Sequence, residues 1–371
     1  MKRLVLVGAG HAHAQVLLEW ANAPLPGVEL IVVSPYALAP YSGMVPGWLA
    51  GGYRFDEIVI DFQALCAAAG VRWIEGELDA LNASQLALTL RSGERLGYDL
   101  LSLNVGSTLR PPVVAGVHAL TLLALRPLSQ LHAGYEALLA DWVADTSSLP
   151  FVVTAVGGGA AGFESLLAVL ARLRWLRPGR AVHGSLVSRG NTLLPDLSAP
   201  ARRAAERALA RAGVTLQLGT GWSDAVAHSS DLVLWATGAE AHAWQIDPAR
   251  RSALAVSERG FISVDSQLRS VSHPAVFAVG DCAEWAQPLP KAGVYAVRMG
   301  PVLSVNLRAA LGQGAAQVYR PQHRFLALLA TGDGRAIASR GAFGTKGRWV
   351  WRWKDHIDRG FVRRFKALDA D

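Results

Sequence analysis

The sequence predicts an α/β protein with two doubly wound units and a small C-terminal region. An apolar strand runs into a glycine turn and a helical pattern at residues 4–22, and the same order recurs at residues 151–173. A third observation is a short apolar strand that ends at Gly280-Asp281. The chain of 371 residues, of which 51% are hydrophobic, is long enough for two or three domain cores.

The individual elements follow from apolar spacing and from the glycines and prolines between the runs. In the first unit we expect helix 11–22, strand 29–33, helix 57–69, strand 72–75, and a hairpin and strand over 86–106. In the second we expect helix 127–142, the strand, turn and helix over 151–173, strand 182–187, helix 199–212, and strands 215–218 and 231–235. Strand 276–279, helix 299–311, a hairpin over 324–343 and a basic tail complete the prediction.

The N-terminal segment and the cysteines indicate a cytoplasmic protein. No run of about 18 or more apolar residues occurs, so no membrane-spanning helix is expected. Gly8 and Gly10 cut the apolar start short, which favours a first strand over a signal peptide. Cys66 and Cys282 are too few for a disulfide framework and too far apart for a C-x-x-C pair, so we interpret both as small buried residues. No metal site is predicted.

The positive charge is concentrated near the C-terminus. Residues 340–366 hold nine Lys or Arg and two Asp, a difference of +7, which equals the net charge of the whole chain. This distribution indicates contact with a local anionic surface such as lipid headgroups. It argues against nucleic acid as a partner.

The second glycine turn has the G-x-G-x-x-G spacing of a dinucleotide site. Gly157 permits the tight turn, Gly159 lets a pyrophosphate approach the backbone, and Gly162 lets the helix pack closely on the strand. The first amides of the following helix then face the phosphates.

The opening turn keeps the two glycines that face a ligand and changes the third. Gly8 and Gly10 are present, and His13 replaces the packing glycine, which predicts a packing or surface role for that histidine. His11, at the helix start, has two open interpretations: a phosphate partner or a solvated residue.

The residues after the second strand of each unit are candidates to bind the ribose of a dinucleotide. The first unit has Ser34-Pro35 where a carboxylate is common, and a serine is the weaker hydrogen-bond partner. The second has Ser188-Arg189, which lacks a carboxylate that would repel a 2′-phosphate. Arg189 therefore favours NADPH over NADH, with a plain surface arginine as the alternative.

The two turns and Gly280-Asp281, with "LWATGAE" between them, resemble the flavoproteins with two dinucleotide-binding domains of the pyridine nucleotide-disulfide oxidoreductase superfamily. The resemblance covers residues 1–310. It implies two Rossmann-type domains, with FAD and NAD(P)H as cofactors. Asp281 would accept hydrogen bonds from the polyol chain of FAD, and the helix from about 299 would aim its positive end at the flavin pyrimidine edge.

The resemblance also implies a set of site residues and a domain division. The FAD residues are Gly8, Gly10, His11, Ala12, Ser34, Pro35, Leu78, Val105, Gly106, Gly280, Asp281 and Val297. The NAD(P)H residues are Gly157, Gly159, Ala160, Gly162, Ser188, Arg189, Thr237 and Gly238. Glu164 would lie where nicotinamide and flavin meet. The domains would be 1–112 and 241–312 for FAD, 113–240 for NAD(P)H, and 313–371 for the C-terminal region.

Cysteines are missing from the two regions where members of this superfamily carry redox-active pairs, and this narrows the possible branches of the superfamily. The loop "APYSGMVPGWLAGG" and residues 110–240 contain none, which excludes a C-x-x-C mechanism.

The C-terminal region looks like that of type II NADH dehydrogenases. "GAGHAHAQVL", "PYSGMVPG", "PKAGVYAVRMGPVLSVNL" and "WVWRWKDHIDRGF" look like the flavoprotein family found fused to selenide, water dikinase. Residues 296–300 depart from the glutamine-rich quinone segment of the NADH dehydrogenases.

The basic tail carries an apolar ridge at helical spacing, formed by Trp349, Trp353, Ile357, Phe361 and Phe365. One interpretation is an amphipathic helix that contacts a membrane through residues 346–366. The other is a helix that packs in a groove of the protein itself. A glycine at position 360 is expected to weaken a long helix.

Together these features predict an FAD-dependent NAD(P)H oxidoreductase with an unidentified small-molecule acceptor, a quinone or a sulfur or selenium compound. Lys291 and Arg298 are candidates for charge near the flavin N1 and O2 edge, with solvated surface as the alternative. A membrane-associated quinone reductase at the inner face of the membrane and a non-enzymatic flavin-binding partner are the alternative functions. A homodimer is left open.

Overall fold

The computed structural model describes residues 1–112, 120–322 and 324–366. The helices are α1 His11–Asn22, α2 Val45–Leu49, α3 Phe55–Ile58, α4 Phe62–Ala68, α5 Leu128–Ala144, α6 Ala160–Leu176, α7 Ala199–Arg211, α8 Asp224–His228, α9 Ala243–Ile246, α10 Pro248–Arg251, α11 Gly293–Ala310 and α12 Arg348–Lys366. The strands are β1 Lys2–Val7, β2 Val28–Ser34, β3 Leu38–Pro40, β4 Val59–Asp61, β5 Arg72–Glu75, β6 Leu78–Asn82, β7 Ala87–Leu90, β8 Arg95–Gly97, β9 Leu100–Leu103, β10 Thr121–Ala124, β11 Phe151–Val156, β12 Val182–Ser188, β13 Val214–Leu218, β14 Leu232–Trp235, β15 Ile262–Ser263, β16 Val276–Ala278, β17 Ala283–Glu284, β18 Ala327–Ala330, β19 Ala336–Arg340 and β20 Phe343–Gly347.

The first unit is a parallel sheet in the order β16-β9-β1-β2-β5. Its central strand is apolar on both faces, and residues 4–6 are completely buried, as expected for a sheet covered on each side. Helices α1 and α11 pack against each other beside this sheet. Because the strands are parallel, the loops after β16, β9, β1 and β2 meet at one edge.

The second unit repeats this plan with the order β10-β14-β11-β12-β13, again fully parallel. Its core includes the buried face of α6, among them Phe163, Leu166 and Leu170. The α/β class and the two-unit architecture are therefore as the sequence predicted. The domain boundaries remain predictions, and the one proposed after residue 112 adjoins residues 113–119, which lie outside the described residues.

In the described residues, two three-stranded antiparallel sheets and the two-stranded sheets β3-β4 and β15-β17 complete the fold. Strands β6-β7-β8 extend the first unit, and β18-β19-β20 pack on α7 of the second. Ser198 fixes this second contact, because its hydroxyl caps α7 at Ala201 and donates to the carbonyl of Phe343. The last strand leads directly into α12. None of the helices in the described parts of the chain is long and apolar enough to cross a bilayer.

Two predicted elements were wrong in extent. The helix expected over 57–69 is divided into α3, β4 and α4, because Val59-Ile60 pair with β3 and the Asp61 carboxylate then caps α4 at Ala64. Helix α11 begins at Gly293 rather than near 299, with Pro301 in its interior. Prolines are common in the first turn of a helix and costly in its interior, so sequence spacing does not favour a helix that extends across Pro301.

The tail forms a single helix, and the expected apolar ridge does not lie on one face of it. Helix α12 runs through Gly360 without a break. Trp349, Trp353 and Ile357 are 54%, 40% and 41% exposed, whereas Phe365 is buried. The face that packs on the protein is instead formed by Val350, Lys354, Asp358, Val362 and Phe365. The ridge read from the sequence therefore turns from solvent to core along the helix.

Candidate cofactor and active site

The first glycine turn lies at the carboxyl edge of the first sheet and is closed by Asn104. Gly8 has φ +100°, and a Cβ there would come within 2.5 Å of the Asn104 carbonyl oxygen. The Asn104 side chain accepts from the amides of Ala12 and His13 and donates to the Val279 carbonyl at 3.0 Å. It thus joins the segments after β9 and β16 to the first turn of α1. The sequence analysis missed this residue, although it ends a predicted strand in "LNVG".

His13 fills the place of the packing glycine with a buried polar contact. Its Nδ1 lies 2.8 Å from the Gly8 carbonyl oxygen and its Nε2 lies 2.9 Å from the Ser102 hydroxyl. A carbonyl only accepts, so Nδ1 carries the proton and Nε2 accepts from Ser102. Burial lowers the pKa of His13 to about 4, so the ring is neutral at pH 7. The packing role is the one that the structure gives it.

His11 begins α1 and is enclosed by aromatic rings. It lies edge-on to Tyr41 with 5.4 Å between ring centroids, and 6.0 Å from Phe361 of α12. Burial lowers its pKa to about 4, against an opposing effect of Asp281. Its Nε2 is buried without a hydrogen-bond partner among the described residues. A neutral imidazole can offer one hydrogen bond to a ligand but no charge to a phosphate.

The remaining predicted FAD residues lie at or after the ends of β2 and β9, at the start of β6 and in α11. Ser34 bonds within its own turn, to the carbonyl oxygen and amide of Tyr36. Gly106, with φ +73°, borders open space, since a Cβ there would have no described atom within 4 Å. Of the other predicted FAD residues, Pro35 follows β2, Leu78 begins β6, Val105 follows β9 and Val297 lies in α11.

Asp281 is held by Arg126, which the sequence analysis did not identify. The guanidinium of Arg126 pairs with Asp281 Oδ2, and the Ser107 hydroxyl lies 3.3 Å from the same oxygen. Within the described part of the chain no group bonds Oδ1, which leaves that oxygen for a ligand hydroxyl. Arg126 follows β10 of the second unit, so this contact also links the two units.

The second glycine turn lies at the carboxyl edge of the second sheet. Gly157 has φ +131°, and a Cβ there would lie 2.2 Å from the Ala236 carbonyl oxygen. A Cβ on Gly162 would lie 2.1 Å from the Gly157 oxygen, which is the counterpart of the carbonyl that His13 bonds in the first unit. Gly159 and Gly238 border open space. The neighbouring predicted residues are Ala160 at the start of α6, Ser188 and Arg189 at the end of β12, and Thr237 after β14.

A sequence profile of the pyridine nucleotide-disulphide oxidoreductases matches residues 2–300. The chain belongs to this family. A curated relative, the alternative NAD(P)H-ubiquinone oxidoreductase C1 of Arabidopsis thaliana, is 25% identical over 296 residues, and the match covers 68% of this chain and 54% of the relative. The chain thus spans about half the length of that relative.

Solved structures share the fold at low identity. The sulfide:quinone oxidoreductase of Aquifex aeolicus superposes with a TM-score of 0.76 and 12% identity, covering 99% of this chain and 92% of that one. NDH2 of Plasmodium falciparum in complex with NADH gives a TM-score of 0.76 and 12% identity over 100% and 98% of the two chains. At these identities the likeness establishes the fold.

The two edges fit the cofactors of this pyridine nucleotide-disulphide oxidoreductase. FAD and NAD(P)H are the cofactors of the family. Open space beside Gly106 and Gly159, the unpartnered Nε2 of His11 and the free Oδ1 of Asp281 are the groups that a flavin and a nicotinamide dinucleotide would use.

Glu164 lies in the second turn of α6, against the C-terminal sheet. Its Oε1 accepts from the Ala330 amide at 2.6 Å. Burial raises its pKa to about 7, with Lys354 and the Ala330 amide opposing and Asp358 adding to the shift. Glu164 is therefore divided between its acid and carboxylate forms at neutral pH, which suits a group that exchanges protons.

Lys354 and Asp358 of α12 form a buried ion pair beside Glu164. The two side chains are 2.7 Å apart, and the ammonium also donates to the Gly43 carbonyl at 2.5 Å. Asp358 lies against Tyr41, whose pKa is raised by burial and by this carboxylate. Helix α12 thereby places a charged pair between the loop after β3 and α6. The spacing of four residues was visible in the sequence, but its burial was not.

The two basic candidates for the flavin edge are placed differently from each other. Lys291 donates to the Ala283 carbonyl at 2.6 Å and lies 3.8 Å from Glu284, so β17 holds its ammonium. Arg298, in the second turn of α11, has a buried Nη1 without a partner among the described residues. Its charge opposes the rise in the pKa of Tyr319, which burial brings to about 12.

Both cysteines are buried thiols. Burial raises the pKa of Cys66 to about 12 and that of Cys282 to about 11. They lie in different core clusters. A thiol with so high a pKa is a poor nucleophile. In the described part of the chain, no three His, Cys, Asp or Glu side chains are grouped as a metal site.

Proposed function

We propose that this chain is an FAD-dependent NAD(P)H oxidoreductase that passes a hydride from nicotinamide to flavin and then electrons to a small-molecule acceptor. The supporting observation is the pair of glycine turns at the carboxyl edges of two parallel sheets, linked by Arg126 and Asp281. Bound FAD supplies the redox chemistry. The chain binds and orients both cofactors, and its buried cysteines take no part.

Within this proposal, particular residues at each sheet edge have particular roles. The amides at the start of α1 and α6 hold the two pyrophosphates. Asp281 Oδ1 accepts from a ribityl hydroxyl, and the positive end of α11, which begins at Gly293, faces the flavin pyrimidine edge. Glu164 holds or releases a proton near the reacting atoms, and Arg298 is the better placed basic candidate for this side of α11.

Anaerobic mixing of the FAD-loaded protein with NADPH or NADH tests the proposal. We expect at least one of them to bleach the visible flavin absorbance. A Gly159→Asp variant is the matched control, because its side chain enters open space but puts a carboxylate where phosphates bind. It should keep FAD and lose reduction. If neither nucleotide bleaches the parent, the chain is a flavin-binding partner and the proposal is wrong.

We further propose NADPH as the preferred nucleotide. Arg189 is exposed at the end of β12, beside Ser188 rather than a carboxylate, and has no ion pair among the described residues. An Arg189→Ala variant should lose roughly 10-fold or more in kcat/KM for NADPH, the value of a charged hydrogen bond. Activity with NADH should be unchanged. Equal losses with both nucleotides would contradict this preference.

A membrane quinone is the acceptor that one observation favours. The exposed residues of α12 are Arg348, Trp349, Arg352, Trp353, His356, Ile357, Gly360, Arg363, Arg364 and Lys366. This face contains bases and apolar rings and no acid, which suits the headgroup region of a bilayer. The chain would then work on the cytoplasmic face of the membrane. If selenite reoxidises the reduced flavin faster than a short-chain quinone does, the acceptor would instead belong to the sulfur or selenium compounds.

A further inference from the structure

A small basic pocket lies between α7 and the C-terminal sheet, on the second unit. Its volume is about 120 Å³, and it is lined by Ala204, Arg211, Thr331, Arg335, Ala336, Ile337, Lys346 and Gly347. Alanine and isoleucine side chains form a buried floor, and the basic side chains stand at the rim. Neither the glycine turns nor the Glu164 cluster includes any of these residues.

The positive charges of this pocket have no acidic partner among the residues that the structure describes. Arg207 lies one helical turn before Arg211, and the charges of Arg207, Arg211 and Arg335 all act on Lys346. None of the four has an ion pair or a side-chain hydrogen bond to the residues that the structure describes. Asp333 is nearby in sequence, but its carboxylate accepts from the Thr331 hydroxyl at 2.5 Å.

The cations act on one another at this distance. The pKa of Lys346 is lowered by burial and by the charges of Arg207, Arg211 and Arg335. Mutual repulsion of this kind destabilises the folded chain unless an anion neutralises it. Gly347 immediately precedes α12, so the positive end of a 19-residue helix adds to the same wall.

We infer that this pocket binds a phosphate group. Arginine guanidinium groups pair with phosphate oxygens through two parallel hydrogen bonds, and a lysine adds a point charge. The pocket leads into the exposed face of α12, where Trp349 and Trp353 follow within two turns. That continuity favours the headgroup of an anionic phospholipid over a soluble phosphate. The site does not depend on the proposed redox activity.

An Arg211→Gln/Lys346→Gln variant tests the site in two ways, with FAD and NADP⁺ present to fill the glycine turns. One measurement is binding to vesicles of phosphatidylglycerol in phosphatidylcholine, and the other is calorimetric binding of inorganic pyrophosphate. We expect vesicle binding roughly 30-fold weaker than that of the parent, because each cation near an anionic surface contributes about fivefold. The matched control is Arg72→Gln/Arg95→Gln, which removes two exposed charges from the first unit.

Each outcome decides the matter. A loss confined to vesicles identifies a lipid headgroup site, and a loss of pyrophosphate binding identifies a site for soluble phosphates. The inference is overturned if the variant equals the parent in both measurements. It is also overturned if the control loses as much, because the attraction would then be a property of net charge alone. NADPH-dependent bleaching of the flavin should be unchanged in both variants, which separates this site from the proposed function.

Discussion

His13 shows how one residue can replace another by a different physical means. In the second unit, Gly162 lets α6 approach the Gly157 carbonyl, which a Cβ would overlap at 2.1 Å. In the first unit, the equivalent carbonyl of Gly8 accepts from the His13 ring. Close packing is exchanged for a buried hydrogen bond, which is costly to leave unmade. The spacing predicted that the position faces the sheet, and only the structure gave the tautomer.

Acid should destabilise the protein through this ring. The pKa of His13 falls from 6.5 to about 4 on folding, so below pH 6.5 the unfolded chain takes a proton that the folded chain refuses. Stability is therefore lost as the pH falls from 6.5 to 4, by about 2 kcal/mol at pH 5. Urea unfolding of the parent and of a His13→Gln variant measures this difference.

The comparison with the His13→Gln variant is needed because Glu164 changes the stability of the fold with pH in the opposite direction to His13. Because its pKa is raised, the folded chain binds more protons than the unfolded chain between pH 4.5 and about 7. The stabilising contribution of Glu164 is therefore present in acid and is lost as the pH rises through this range. The His13→Gln variant should show a smaller loss in acid than the parent. Identical pH dependence in both proteins would mean that His13 is solvated.

Glu164 should also set the pH dependence of turnover. With a pKa near 7 it loses its proton within the physiological range, and a Glu164→Gln variant cannot. We expect the parent rate of flavin reoxidation to show an inflection near pH 7 that the variant lacks, with a fall of roughly 10²-fold or more if the residue moves a proton. The flavin reduction rate is the control. A variant that keeps the inflection would assign it to another group.

At the scale of elements, α12 joins all parts of the chain. Tyr53 donates to Asp355 at 2.6 Å, and Arg359 pairs with Glu57 at 3.0 Å, which fixes the helix on the first unit. Lys354 brings it to Glu164 of the second. The amphipathic pattern of this helix could be predicted from the sequence. Which face is buried could not, because the packed face contains an ion pair and the exposed face contains tryptophans.

Removing one partner of that ion pair should cost more than removing both. A Lys354→Met change leaves Asp358 buried and unpaired and should lower the free energy of unfolding by about 3–5 kcal/mol. In a Lys354→Met/Asp358→Leu variant the loss should be much smaller, since no buried charge remains. Thermal or urea unfolding of the FAD-loaded proteins measures both. A double variant as unstable as the single one would contradict a dominant role for the unpaired charge.

At the scale of the whole molecule, sequence patterns are sufficient to predict the two sheets but not the contacts between distant parts of the chain. Both parallel sheets and their glycine turns follow from periodicity and from spacing that only glycine satisfies. The contacts that bring the parts together do not, because Arg126 and Asp281 are 155 residues apart in sequence and no motif connects Arg126 with Asp281. The same holds for Asn104 and Val279, which meet because β9 and β16 are neighbours in the sheet.

The orientation of the molecule on a bilayer is a property of this assembled surface. If the exposed face of α12 lies in the headgroup region, a Trp349→Ala/Trp353→Ala variant should bind phosphatidylglycerol vesicles roughly tenfold or more weakly in flotation, because two interfacial rings are lost. Trp175 is 70% exposed on α6 and provides the matched control as Trp175→Ala. Equal losses in both would show that any exposed tryptophan suffices, and no loss in either would remove α12 from the membrane.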